Sequence, residues 1–422
     1  MAAPNFTVVE ITRDPQHSAV AHIKDGYGLL NGAMMMVLEN EVPVFSNTDP
    51  VPAVATQGHI PTAFTIDTND IIPITVHFRC QNFPNGTQRY YLVGSGPGIG
   101  NLSIRSADFA IPGGVPGPNA AALEATQFTY PNPLPVNSPF RVTGDWTWTI
   151  HRTNDNALVA TAGNPTRLEL YFFLSDTTSN GDHLLDFLRL AVPEYPVIAN
   201  QQWSAVQQVV IGQIVVSLWG LGGLRNAPGQ QFIQCGRVYD NRRDAGGAAH
   251  HLTGAGGQFE FNVQSFMEVN QNMILVNCED LAALVLVAFR ALGQRVVGGV
   301  SQDVLPGALE SRTMWGYIPD GPLWGWPQQS TCNSPFWKDV NFNDAYNSHE
   351  NNRTAPDRSH FHSHTYVVYR DLNNNEVVTD ICHGLLQGGN NAILTNGVSR
   401  AQYYQQAIDF SLGTYTINSL IT

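Results

Sequence analysis

An antiparallel β-sandwich followed by a mixed α+β domain is the fold class predicted by this 422-residue chain, and three observations predict it. Short alternating runs broken by Gly, Pro and Asn fill the first 176 positions or so. Beyond about residue 200 apolar residues recur at three- and four-residue steps. Charged residues make up only 13%, about half of the ~25% usual in soluble proteins, and that composition suits strands and ordered loops. With 43% hydrophobic residues the chain can fill two cores rather than one.

The strand signal is clearest at Ile74-Thr75-Val76-His77-Phe78 and Trp146-Thr147-Trp148-Thr149-Ile150, where alternate residues are apolar. Leu168 to Leu174 is apolar almost throughout and reads as a buried strand. Gly94-Ser95-Gly96-Pro97-Gly98-Ile99-Gly100 mimics a nucleotide-binding loop, yet no helix follows it to hold a phosphate, so it reads as a sandwich loop. The polar stretch Asp176 to Asp182 marks a join near residue 180. The expected domains are therefore a sandwich over 1–180, for recognition or scaffolding, and a catalytic domain over 181–422.

Trp203, Val206, Val209, Val210, Ile214 and Leu218 then outline an amphipathic helix. Ala245 to Gln258, rich in Gly, Ala and His, reads as a loop, with Arg242-Arg243 and His250-His251 at the surface. Phe259 to Val263 reads as a strand, and Met273 to Val276 as a short apolar run into a second helix. Trp315 to Arg358 lacks periodicity and reads as a long functional loop. Within it Asp339 to Asp344 has alternating oxygen ligands but no later Glu of a calcium loop, which favours a solvated segment.

The net charge of −13 repels phosphate backbones and anionic lipid, which argues against nucleic-acid and membrane partners. No apolar run approaches the ~18 residues of a membrane span, and the first residues lack the pattern of a signal peptide. A cytoplasmic location is the expectation. The five cysteines, Cys80, Cys235, Cys278, Cys332 and Cys382, follow no disulfide or zinc spacing, and their odd number leaves at least one thiol free.

One of them sits where thiol chemistry is favoured. Asn277 is a good N-cap, which puts Cys278 at the first helical position, and Leu281, Leu284, Val285, Ala288 and Leu292 form one apolar face. The positive end of the helix dipole and free N–H groups there favour thiolate. Glu279 and Asp280 oppose it, so a neighbouring imidazolium is needed. Candidates lie in Ser359 to Tyr369, which with the turn at Asn373-Asn374-Asn375 and the return Glu376 to Asp380 forms a β-hairpin. A His early on one strand and an Asp late on the next lie close enough across the ladder for the carboxylate to hold the imidazole.

Cys278-Glu279-Asp280-Leu281-Ala282, Phe289-Arg290-Ala291-Leu292-Gly293, Arg295-Val296-Val297 and the pairing of His364 with Tyr366 before Asp380 resemble the transglutaminase-like superfamily. The resemblance covers residues 278 to 383. It implies a papain-like fold, Cys278 as nucleophile, His364 as base, Asp380 as the group orienting it, and acyl transfer or amide hydrolysis through a thioester without metal or cofactor. The implied substrates are peptides, proteins or small amides and thioesters. The long Cys-to-His segment then reads as a substrate-facing insertion, and oxyanion donors include the Cys278 N–H with a side chain such as Gln234 or Trp219.

Three alternatives remain at this level. A cysteine peptidase or deamidase uses the same three residues with water as acceptor. A metal-dependent oxygenase would use His360, His362 and His364, which share one face of a strand, although the Glu expected a few residues on is missing. A non-catalytic β-rich binding protein is the third.

Overall fold

The computed structural model describes residues 3–13, 23–24, 45–46, 61–65, 71–72, 74–84, 88–97, 102–111, 121–129, 139–173, 183–194, 211, 212, 214, 218, 237–239, 250–255, 258–267, 274–292, 294–297, 300–303, 307–317, 360–370, 375–381, 386–387, 392–393, 398–407 and 415–421. They are mostly strand with few helices, a β-rich α+β fold. Among them no helix is long and apolar enough to cross a membrane. The chain divides into two compact units, one of Met1–Leu185, Val192–Trp203 and Leu292–Ser301, the other of Asp186–Ala191, Ser204–Ala291 and Gln302–Thr422.

The first unit has two main sheets among the described residues. In the smaller, β1 (Asn5–Arg13) lies antiparallel to the later strand Ile74–Gln81, which also pairs with Ala121–Ala125. Ile74, Val76, Phe78 and Cys80 are buried, as the alternation predicts. In the larger sheet β2 (Thr62–Thr65), β3 (Arg89–Ser95), β4 (Phe140–Arg152) and β5 (Thr166–Phe173) run in the order β2-β5-β4-β3. Phe78 of the small sheet meets Phe109, which pairs with β3, at 5.4 Å and 62°. The antiparallel expectation holds for these pairs except one, since β2 runs parallel to β5.

The glycine loop has a packing reason. A Cβ on Gly94 would fall 2.5 Å from the Trp148 ring, and one on Gly96 3.1 Å from Trp146. Both indoles are fully buried, and the Trp148 Nε1–H donates to Thr166 Oγ1 at 2.7 Å. The glycines at 94 and 96 let the chain cross two indole faces.

The second unit holds a hairpin of β6 (Leu252–Ala255) and β7 (Gln258–Phe261). Leu252–Ala255 and Gln258 of the segment read as a loop are therefore strand: Gly254 and Ala255 have little β propensity and are held by pairing with β7. After β8 (Ile274–Val276) comes α1 (Cys278–Ala291), with Leu281, Leu284, Val285 and Ala288 buried. Each contributes up to about 1.5–3 kcal/mol, less for Ala288. The main sheet contains β9 (Gly307–Tyr317), β10 (His360–Arg370), β11 (Glu376–Thr379) and β12 (Tyr415–Ile421), with β12-β9-β10-β11 as its order, all antiparallel. Trp315 to Tyr317, read as the start of a long loop, belongs to β9, and the rest of that segment, to Arg358, lies outside the described residues. Ile214 and Leu218 of the earlier amphipathic pattern are helical and buried, as is Ile211 beside them.

Candidate active site

The start of α1 is built by two residues that cap each other. Asn277 Oδ1 accepts the Asp280 N–H at 3.0 Å, and Asp280 Oδ2 accepts the Asn277 N–H at 3.0 Å. This is a capping box with Asn and Asp in the two roles. Leu281 N–H donates to the Asn277 carbonyl at 3.1 Å, opening the helical ladder. Cys278 thus takes the first helical position and is 5% exposed.

Asp280 does more than cap. Its side chain is fully buried, and it also accepts the His250 N–H at 3.0 Å on Oδ2 and the His251 N–H at 2.7 Å on Oδ1. Three backbone donors converge on one carboxylate, which is what makes a buried charge tolerable. Glu279 remains above its ordinary carboxylate range, because burial disfavours its charge and the Asp280 charge adds to that effect.

His251 is not the surface residue expected. It is buried, with its ring edge-on to Phe266 at 5.5 Å and 81°. The physical reason is the Asp280 carboxylate, which draws the backbone to the helix terminus and carries the ring into the aromatic side chains behind it. Ser265 Oγ donates to the Asn262 carbonyl at 3.1 Å and lies 2.7 Å from His251 Nδ1. With its proton committed to that carbonyl, the hydroxyl accepts from Nδ1–H of the ring.

The hairpin forms as expected. Val367 pairs with Thr379, Val368 with Val378, Tyr369 with Val377 and Arg370 with Glu376. Continuing that register by one step sets Asp380 level with Tyr366, so position 364 is the diagonal neighbour of Asp380 across the ladder. His364 is itself paired along the backbone with Arg312 of β9. The side chains of His360, His362 and His364 lie outside the described residues, as do Gln234 and Trp219. No family model matches the chain, and no curated protein matches it.

Asp380 is 3% exposed and follows the last residue of β11. Tyr403 donates its hydroxyl proton to Asp380 Oδ2, and its ring lies 4.9 Å from that of Tyr366. Tyr403 stands in α2 (Arg400–Ala407), whose start is a second capping box: Gln402 N–H donates to Ser399 Oγ and Ser399 N–H to Gln402 Oε1, both at 3.3 Å. Arg400 binds Glu376 at 3.0 Å, tying α2 to β11. Sequence reasoning missed Tyr403. The Ser399-x-x-Gln402 signature marks the helix start, but nothing in the sequence links it to Asp380.

On β10, Tyr369 meets Phe289 of α1 edge-on at 6.0 Å and 86°. Tyr366, three residues earlier, is on the other side of the pleat. Cys278 precedes Phe289 by three helical turns, about 16 Å along the axis. Among the described residues no three His, Cys, Asp or Glu side chains come close enough together to hold a metal.

Proposed function

We propose that the second unit is a thiol-dependent enzyme of the transglutaminase-like kind, transferring acyl groups or hydrolysing amides through a thioester on Cys278. The observation that supports it most is the buried Asp380 carboxylate, one strand away from position 364 and 3% exposed. Burying a carboxylate is costly, and replacing such a group by an apolar one is often neutral or stabilising. Orienting an imidazole is a reason to keep it. The capped, buried thiol at the start of α1 is the second half of the argument.

In this reading His364 takes the Cys278 proton, and the thiolate attacks the carbonyl carbon of an amide. The tetrahedral intermediate collapses by breaking the C–N bond. The imidazolium returns its proton to the leaving amine, which leaves an acyl-thioester. Water or a second amine, deprotonated by the same imidazole, then attacks the thioester and restores the thiol. The opposite facing of Tyr366 and Tyr369 sets a condition: thiol and imidazole must meet toward the end of the sheet, three turns from Phe289. The first unit serves recognition or scaffolding, the substrates are peptides, proteins or small amides, and a chemistry that needs a free thiol suits the cytoplasm.

Mass spectrometry tests this directly. Incubation with glutamine-containing peptides should release ammonia and leave a transient acyl adduct on the peptide containing Cys278. Cys278→Ala should lose both signals. Ammonia release that survives the substitution would rule out the nucleophile.

A further inference from the structure

Asp380 immediately follows the last residue of β11, and an orienting carboxylate has to present one oxygen in a fixed direction. We infer that Tyr403 is a positioning residue that holds the Asp380 carboxylate for the imidazole. This rests on the reading of Cys278, His364 and Asp380 as one site.

Four observations lead to it. The Tyr403 hydroxyl donates to Oδ2 of Asp380, and both residues are buried, at 1% and 3% exposure. The Tyr403 ring rests on Tyr366, the residue level with Asp380 on the neighbouring strand. The helix carrying Tyr403 is fixed at its start by the Ser399–Gln402 box and by the Arg400–Glu376 ion pair at the opposite end of β11. The phenol therefore approaches Asp380 from a braced element. A donor on one carboxylate oxygen also favours the charged form, the form that stabilises an imidazolium.

The test uses the full-length protein and iodoacetamide, which needs no knowledge of the substrate. The alkylation rate of Cys278 is followed against pH. A thiolate–imidazolium pair gives an acid limb well below the ordinary thiol value of about 8.5. Tyr403→Phe keeps the ring and removes only the donor, so the carboxylate takes up a proton more readily. The acid limb should move up by about one pH unit and the rate below it should fall about ten-fold. Incorporating 3-fluorotyrosine at 403, the same shape with a stronger donor, should move the limb down, and this arm decides if the Phe variant does not fold. An acid limb in the parent that neither substitution moves would overturn the role of Tyr403 and leave the thiol–imidazole reading standing. A parent profile with the single titration of an isolated thiol would overturn both.

Discussion

Asp280 Oδ1 and the His251 N–H lie 2.7 Å apart, a bond that anchors a loop 29 residues upstream to the helix end carrying Cys278. The same carboxylate accepts from His250 and Asn277, so it joins helix, loop and cap. Asp280→Ala would leave three N–H groups without their acceptor. The expected cost is at least about 3 kcal/mol, because each unsatisfied buried donor costs about 1–3 kcal/mol. A urea titration of the folded chain measures it. A loss below about 1 kcal/mol would show that water or another group replaces the carboxylate.

Two described thiols are buried, yet they should react differently. Burial alone pushes Cys80 up to about 12, leaving almost no thiolate at neutral pH. Cys278 stands at the positive end of α1 instead. Limiting iodoacetamide at mildly acidic pH should label Cys278 and spare Cys80, as read by peptide mapping. Preferential labelling of Cys235 or Cys332 with Cys278 inert would remove the nucleophile from the proposal.

Position 364 is the diagonal neighbour of Asp380, and position 362 lies one pleat repeat further from it. A catalytic base supplies roughly 10²–10⁴ in rate, so His364→Ala should cost at least about a hundred-fold while His362→Ala costs far less. Asp380→Asn should be strongly damaging too, since the amide presents an N–H to the ring and selects the other tautomer. A dead His362→Ala beside a nearly intact His364→Ala would shift the site by two residues. Stoichiometric iron, zinc or copper lost together with activity on chelation would instead favour the metal-dependent alternative.

Glu279 gives a pH signature of stability. Its folded pKa is raised, by burial first and by the Asp280 charge second, so the native state holds the proton more tightly than the unfolded chain. Stability from this group is full below the unfolded value and declines as pH rises from there through the raised folded value. Glu279→Gln should flatten that decline and raise the melting temperature at neutral pH relative to the parent. A variant with a lower melting temperature at neutral pH would mean that the carboxylate's attraction to the helix N-terminus outweighs its desolvation.

What could be read in advance follows the range of the interactions. Asn277 as cap, the buried face of α1 and the β10–β11 hairpin are local patterns, written within a turn or a two-residue repeat, and they were legible. The burial of His251 was not, because its cause is Asp280 on another element. Strand β6 escaped notice because Gly254 and Ala255 take their conformation from β7. Tyr403 carries a clear local helix-start signal, but its partner Asp380 is 23 residues away and is reached only once α2 docks. The glycines at 94 and 96 already read as a sandwich loop because no helix follows them, but the space that Trp146 and Trp148 need is set by strands distant in sequence.

The parallel pairing of β2 with β5 has a consequence for how the first unit is made. Thr62–Thr65 aligns with Leu170–Phe173, a partner more than a hundred positions later in the chain, so that edge of the sheet cannot zip until the later strand exists. Contacts so distant in sequence form late, because loop closure must be overcome before any pairing rewards it. On the ribosome Thr62–Thr65 must wait, with Ala63 and Phe64 uncovered, until Phe173 has cleared the exit tunnel. The time for which this edge stays open on a nascent chain should accordingly be set by the synthesis of the residues between Thr65 and Leu170.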